Sequence, residues 1–180
     1  MNERGQLLVV VAFVISAAML LLAVAVDGGR LFIRRNQMKR AAQSAADAGV
    51  SVAAERMVEL AEERRGGSVE GTSVGSGDEK GGSCQPEPQC WLSEEDWDTL
   101  SSSQVRALVE AEALDFAGRN GFSMGSTGAL AINVDYSVQP MEQILQVGVT
   151  IRSRTTILLV GLLSQDFVDL EVHGFSVIKP

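Results

Sequence analysis

Leu7 to Val26 constrains this chain more than any other stretch, because Ser16 is its only polar residue. About 20 apolar residues, rising roughly 1.5 Å each in a helix, cover the approximately 30 Å hydrocarbon core of a bilayer. Such a run has three readings: a secretory signal, a retained anchor, or a helix that packs against copies of itself. Arg4 ahead of the run and Ala23-Val24-Ala25 near its end fit a cleavable signal. Its apolar length exceeds the about 7–15 residues of a signal core. Arg4-Gly5, directly before the run, fits a different cut between Gly5 and Gln6 that leaves the whole helix in place.

No other segment is long enough to cross a membrane. Ile157 to Leu163 is apolar but short, and is expected to be buried in protein. The net charge of −8 is unevenly distributed. Arg30, Arg34, Arg35, Lys39 and Arg40 follow the apolar run, opposed only by Asp27. That places a basic stretch where it meets anionic headgroups. From Gly66 onward six basic residues face sixteen acidic ones, which argues against nucleic acid as a partner.

Between Arg30 and Arg65 there is no proline and the only glycine is Gly49, and the composition is rich in strong helix formers. Ala41, Ala45, Ala48 and Gly49 recur at helical spacing, and Val52, Met57 and Leu60 prolong the stripe. Small residues let two helices approach closely, so this face is expected to pack between chains. With the apolar run it makes one helix of nearly sixty residues, about 85 Å long, with Gly28-Gly29 as the candidate bend. Asp27 stands at the lipid edge, within reach of Arg30 one turn on. Asp47 is expected on the packing face, answered by Arg34, Arg35 or Lys39 of a partner.

Residues 1–65 therefore read as a transmembrane and assembly helix, 66–90 as a Gly/Ser-rich loop, and 91–180 as a head. Cys84 and Cys90 flank two prolines and are expected to form a small-loop disulfide in an oxidising compartment; free thiols are the alternative. Ser93 with Asp96 marks a helix start, and Trp91 or Trp97 is expected in the core. Ser103 to Ala117 reads as a second helix stopped by Gly118, with Val105, Leu108, Val109 and Phe116 as its apolar side. Alternation then switches to a period of two. Leu130 to Val138 and Leu145 to Ile151 form a hairpin about a turn at Pro140–Gln143. Thr155 to Leu163 is expected as a short apolar helix. A last strand uses Val168, Leu170 and Val172, with Gly174 as a bulge before Phe175 and Val177. The fold class is α+β, a long N-terminal helix followed by a three-stranded antiparallel sheet with helices on one face.

No catalytic set stands out, so no enzyme is expected and no cofactor or metal is implied. His173 is the single histidine, and neither G-x-S-x-G nor H-E-x-x-H occurs. Glu94, Glu95, Asp96 and Asp98 are a candidate cation cluster, but they lack the spaced ligands and glycine of an EF-hand; a helix start explains them better.

Gly5 before the apolar run, followed by AVDGGRLFIRRNQMKRAAQSAADAG, resembles the N-terminal region of the Tad/Flp pilus-assembly family, the TadE/TadG-like proteins. The likeness rests on Asp27, Arg30 and the Gln43, Ala46-Asp47-Ala48 cluster, and covers about the first 55 residues. Val10 stands at the fifth position after the Gly5–Gln6 cut, where pilins carry a glutamate. The resemblance implies a pilin-like, single-pass protein of a bacterial or archaeal cytoplasmic membrane. Its N-terminus would be cytoplasmic and its body outside. It would act as a minor pilin, pseudopilin or assembly factor, with other pilin subunits, the assembly platform, the lipid bilayer and a prepilin peptidase as partners. Weighing the basic cluster alone would instead place the body in the cytoplasm. An anchored or secreted binding head, an adhesin or sensor, is the alternative from a different class.

Overall fold

The structure is a computed structural model that describes residues 3–67, 92–125, 129–157 and 167–179, without side chains for 3–6 and 64–67. Helix α1 (Glu3–Gly67) runs 65 residues. It passes through Gly28-Gly29, the candidate bend, without leaving the α-helical state. The long element forms because it contains no proline, and alanine, arginine and glutamate dominate its second half.

Helix α2 (Glu94–Leu100) starts at a capping box, as Ser93 and Asp96 predict. The Ser93 amide donates to Asp96 Oδ2 at 2.7 Å, and the Asp96 amide to Ser93 Oγ at 3.4 Å. Asp96 is thereby committed to the helix start. Helix α3 (Ser103–Arg119) is capped by Ser102. It runs past Gly118 and ends at Asn120, where Gly121 takes φ +85° and turns the chain. The inward residues of α3 are Val105, Val109, Ala113 and Ala117, while Leu108 is exposed and Phe116 half-buried. Two alanines at four-residue spacing, not the larger Leu108, define the face.

Strands β1 (Ala131–Gln139), β2 (Ile144–Thr156) and β3 (Phe167–Ile178) form an antiparallel sheet in the order β1-β2-β3. The β1–β2 hairpin pairs Ile132 with Ile151 and Tyr136 with Val147 around the expected turn, where Gln143 has φ 52°. Thr155 and Thr156 belong to β2, not to a helix; 158–163, the remainder of that expected element, lies outside the described residues.

The expected bulge at Gly174 is also absent. Pairing runs unbroken from Leu145 with Ile178 to Thr156 with Phe167. Leu170, Val172, Gly174, Ser176 and Ile178 therefore share the inner face, and Phe175 and Val177 point away from it. α1 and α3 cover the inner face. The core sits between the alanine-rich second half of α1 and the β2 row Leu145, Val147, Val149 and Ile151, closed by Trp97, Leu100 and Phe122.

Candidate functional site

The two halves of α1 have opposite surroundings. From Leu7 to Val26 the large apolar side chains are exposed all round, with Leu8 71% and Phe13 74% exposed. The helix is long and apolar enough here to cross a membrane. Its one polar side chain is satisfied locally, because Ser16 Oγ donates to the Ala12 carbonyl at 2.9 Å. Such a segment leaves no polar group unmet in hydrocarbon.

The head begins at the end of that run. Asp27, Leu31, Arg34 and Met38 follow at three- or four-residue spacing along the side of α1 that leads to the core. Asp27 is only 6% exposed and is engaged in an interaction, unlike its exposed neighbours Val26 and Gly28. Arg30 is exposed. Arg34 reaches Ser153 Oγ at 3.4 Å and stacks over the Phe122 ring at 4.6 Å, a cation–π contact. One of the five basic residues after the apolar run is thus part of the head's attachment to α1.

The small-residue face is filled by the same chain. Ala41, Ala45, Ala48 and Gly49 are buried, and Val52 is half-buried against the core. A Cβ on Gly49 would come within 3.1 Å of Val147 Cγ1 and 3.2 Å of Val109 Cγ1. The closest approach is at Gly174, where a Cβ would lie 2.5 Å from the Gln43 nitrogen and 2.6 Å from the Ala42 oxygen. Only glycine lets β3 come this near the helix backbone. A face read from sequence as packing between chains therefore packs within one.

Asp47 does not lie on this face. It is exposed and accepts a hydrogen bond from Gln43 Nε2 at 3.1 Å, which also donates to the Phe175 carbonyl at 3.1 Å. A partner's base is not needed to explain it. The cluster instead ties α1 to β3. Gly5 and Gln6 lie in α1, whereas Cys84, Cys90 and Trp91 lie outside the described residues.

The outer face of the sheet carries ion pairs beside the exposed apolar side chains Phe167, Phe175 and Val177. Arg152 pairs with Glu171 at 2.8 Å and Arg154 with Asp169 at 2.8 Å across β2 and β3. His173 shares a 2.9 Å hydrogen bond with Thr150 Oγ1. The Arg154 guanidinium holds the Asp169 carboxyl below its ordinary range. Ser101, Arg106, Asp135, Tyr136 and Ser137 line a shallow cleft of about 270 Å³. The Tyr136 hydroxyl is not available to it as a reactive group. It donates to the Leu100 carbonyl at 2.9 Å, and burial pushes it up to about 12 against the opposing pull of Arg106. Among the described residues no three His, Cys, Asp or Glu side chains converge as metal ligands.

Sequence reasoning missed Gly174 as the contact with α1, and Arg34 as an attachment residue. The first had a signal: Gly174 continues the alternation of Leu170 and Val172, so no bulge was required. The second had none, since Phe122 and Ser153 are remote in sequence. No family model matches the chain, and no curated protein and no solved structure matches it either.

Proposed function

We propose that this protein is a non-enzymatic, single-pass membrane component of a Tad/Flp (type IV-like) pilus, acting as a minor pilin, pseudopilin or assembly factor. One observation carries this reading. A helix whose first half is apolar and uncovered continues without a break into a second half whose inner face its own head covers. The resemblance of the first 55 or so residues, with Asp27, Arg30 and the Gln43 to Ala48 cluster, supplies the assignment to that system. The head lies outside the cytoplasm. Because Ala41 to Gly49 serve the head, contact with other subunits runs through Leu7 to Val26, where small Ala12, Ala17 and Ala18 let helices approach.

A second reading is favoured by that same occupied face. With the small-residue face of its second half covered, α1 supports a head held at the membrane, an adhesin or sensor with no filament role.

The intact mass of the protein from membranes, sheared pili and medium separates these readings. A chain starting at Gln6 and found in pili supports a pilin-like subunit. A chain starting at Met1 and confined to membranes points to an anchored assembly factor or binding head. A chain starting at Val26 in the medium makes the segment a signal and removes the pilus reading.

A further inference from the structure

We propose that the face of α1 turned away from the head between Arg30 and Arg40 is a docking surface for anionic phospholipid headgroups. The inference rests on the reading of Leu7 to Val26 as a membrane span. At about 100° per residue, Leu31, Arg34 and Met38 share the side that leads to the head, and Phe32, Asn36 and Arg40 fall on the opposite side. Arg35 and Lys39 flank these three on one side and Ile33 on the other. All six residues are exposed, Phe32 by 68% and Ile33 by 58%.

The chemistry on this face changes with distance from the span. Phe32 and Ile33 stand only about 9–10 Å beyond Val26, in the interfacial layer where aromatic and aliphatic side chains find partly apolar surroundings. Arg35, Lys39 and Arg40 follow, with no acidic residue between Arg30 and Arg40. From Gly66 onward the chain carries sixteen acidic residues against six basic ones, so an anionic membrane attracts this face and repels the rest. Lys39 and Arg40 lie about 20 Å beyond Val26 along an upright helix, past the reach of the surface potential, so contact requires tilt. Gly28 and Gly29 sit where a tilt is needed. A Cβ at either would meet nothing within 4 Å, so packing calls for neither glycine, and both soften the helix.

The test uses the full-length protein in phosphatidylcholine nanodiscs with or without about 30% phosphatidylglycerol, an anionic fraction large enough to set a surface potential. Phe32→Trp is read by quenching from headgroup spin-labelled lipid, and Leu20→Trp by acyl-chain spin-labelled lipid. The parent protein, with its own tryptophans, supplies the baseline. Docking predicts that Leu20→Trp is quenched in both discs and that Phe32→Trp is quenched about twofold more in the anionic ones. Arg35→Gln, Lys39→Gln and Arg40→Gln together should abolish that excess. Equal Phe32→Trp quenching in both discs, or an excess that survives the triple substitution, overturns the docking while leaving the span intact. An unquenched Leu20→Trp overturns the span reading itself, and the docking falls with it.

Discussion

Gly174 in β3 lies against the main chain of Ala42 in α1, with no room between them for a side chain. Helix and sheet are in register at this point because one residue has no Cβ. Gly174→Ala forces two backbones apart, and neither can yield as a side-chain tip would. Overpacking of this kind costs about 1–3 kcal/mol. Chemical denaturation of the detergent-solubilised protein should show a loss of that order, with the helical signal of residues 7–26 kept.

Ala45→Trp separates the two uses of a small-residue face. Ala45 is fully buried under the head. An indole there displaces the head from α1, so the variant should still extract with membranes but lose the protease resistance of the 92–157 region. Wild-type resistance together with lost pilus assembly would show that the face serves a second chain instead.

Tyr136 carries a pH signature. Its folded-state value of about 12 lies above the ordinary 10.0 because burial disfavours the phenolate. The stabilisation is full below pH 10 and declines as pH rises from about 10 to 12, where the unfolded chain releases the proton and the folded chain holds it. Tyr136→Phe should flatten that decline, at the expense of about 1 kcal/mol at neutral pH from the lost hydrogen bond to Leu100. Denaturant titrations at pH 8 and at about pH 11, the latter inside the titration window, test both effects.

Arg154 and Asp169 are both exposed, and their pairing lowers the Asp169 carboxyl. This stabilisation is present above the ordinary carboxylate value and is lost as pH falls through the lowered one. Arg154→Ala should move Asp169 back up, as read by the pH dependence of its side-chain carbonyl resonance. Solvent screening leaves neutral-pH stability little changed.

How much of this was legible beforehand depends on the range of the interactions involved. The capping box at Ser93 and Asp96 and the hairpin turn at Pro140–Gln143 rest on neighbours a few residues apart, and both occur where residue order predicts them. The apolar span is legible for the same reason. The expectations at Thr155 and Gly174 fail because propensity carries no record of what packs above a residue, whereas the one at Gly118 fails locally, since Gly121 three positions on takes the left-handed turn that ends α3. Gly118 does not end α3, Thr155 continues β2, and Gly174 answers a helix more than a hundred positions away.

The sequence by itself determined an apolar helix able to cross a membrane, its continuation past the apolar run, and an α+β head with a three-stranded antiparallel sheet. These follow from composition and period, which are local quantities. Tertiary structure alone decided what the small face of α1 is for. An alanine and glycine stripe invites any close partner equally, and only the folded chain shows that its own sheet, through Val147 and Gly174, and its own α3, through Val109, reach that face. The same docking turned Arg34 inward and left Phe32, Arg35, Lys39 and Arg40 facing out.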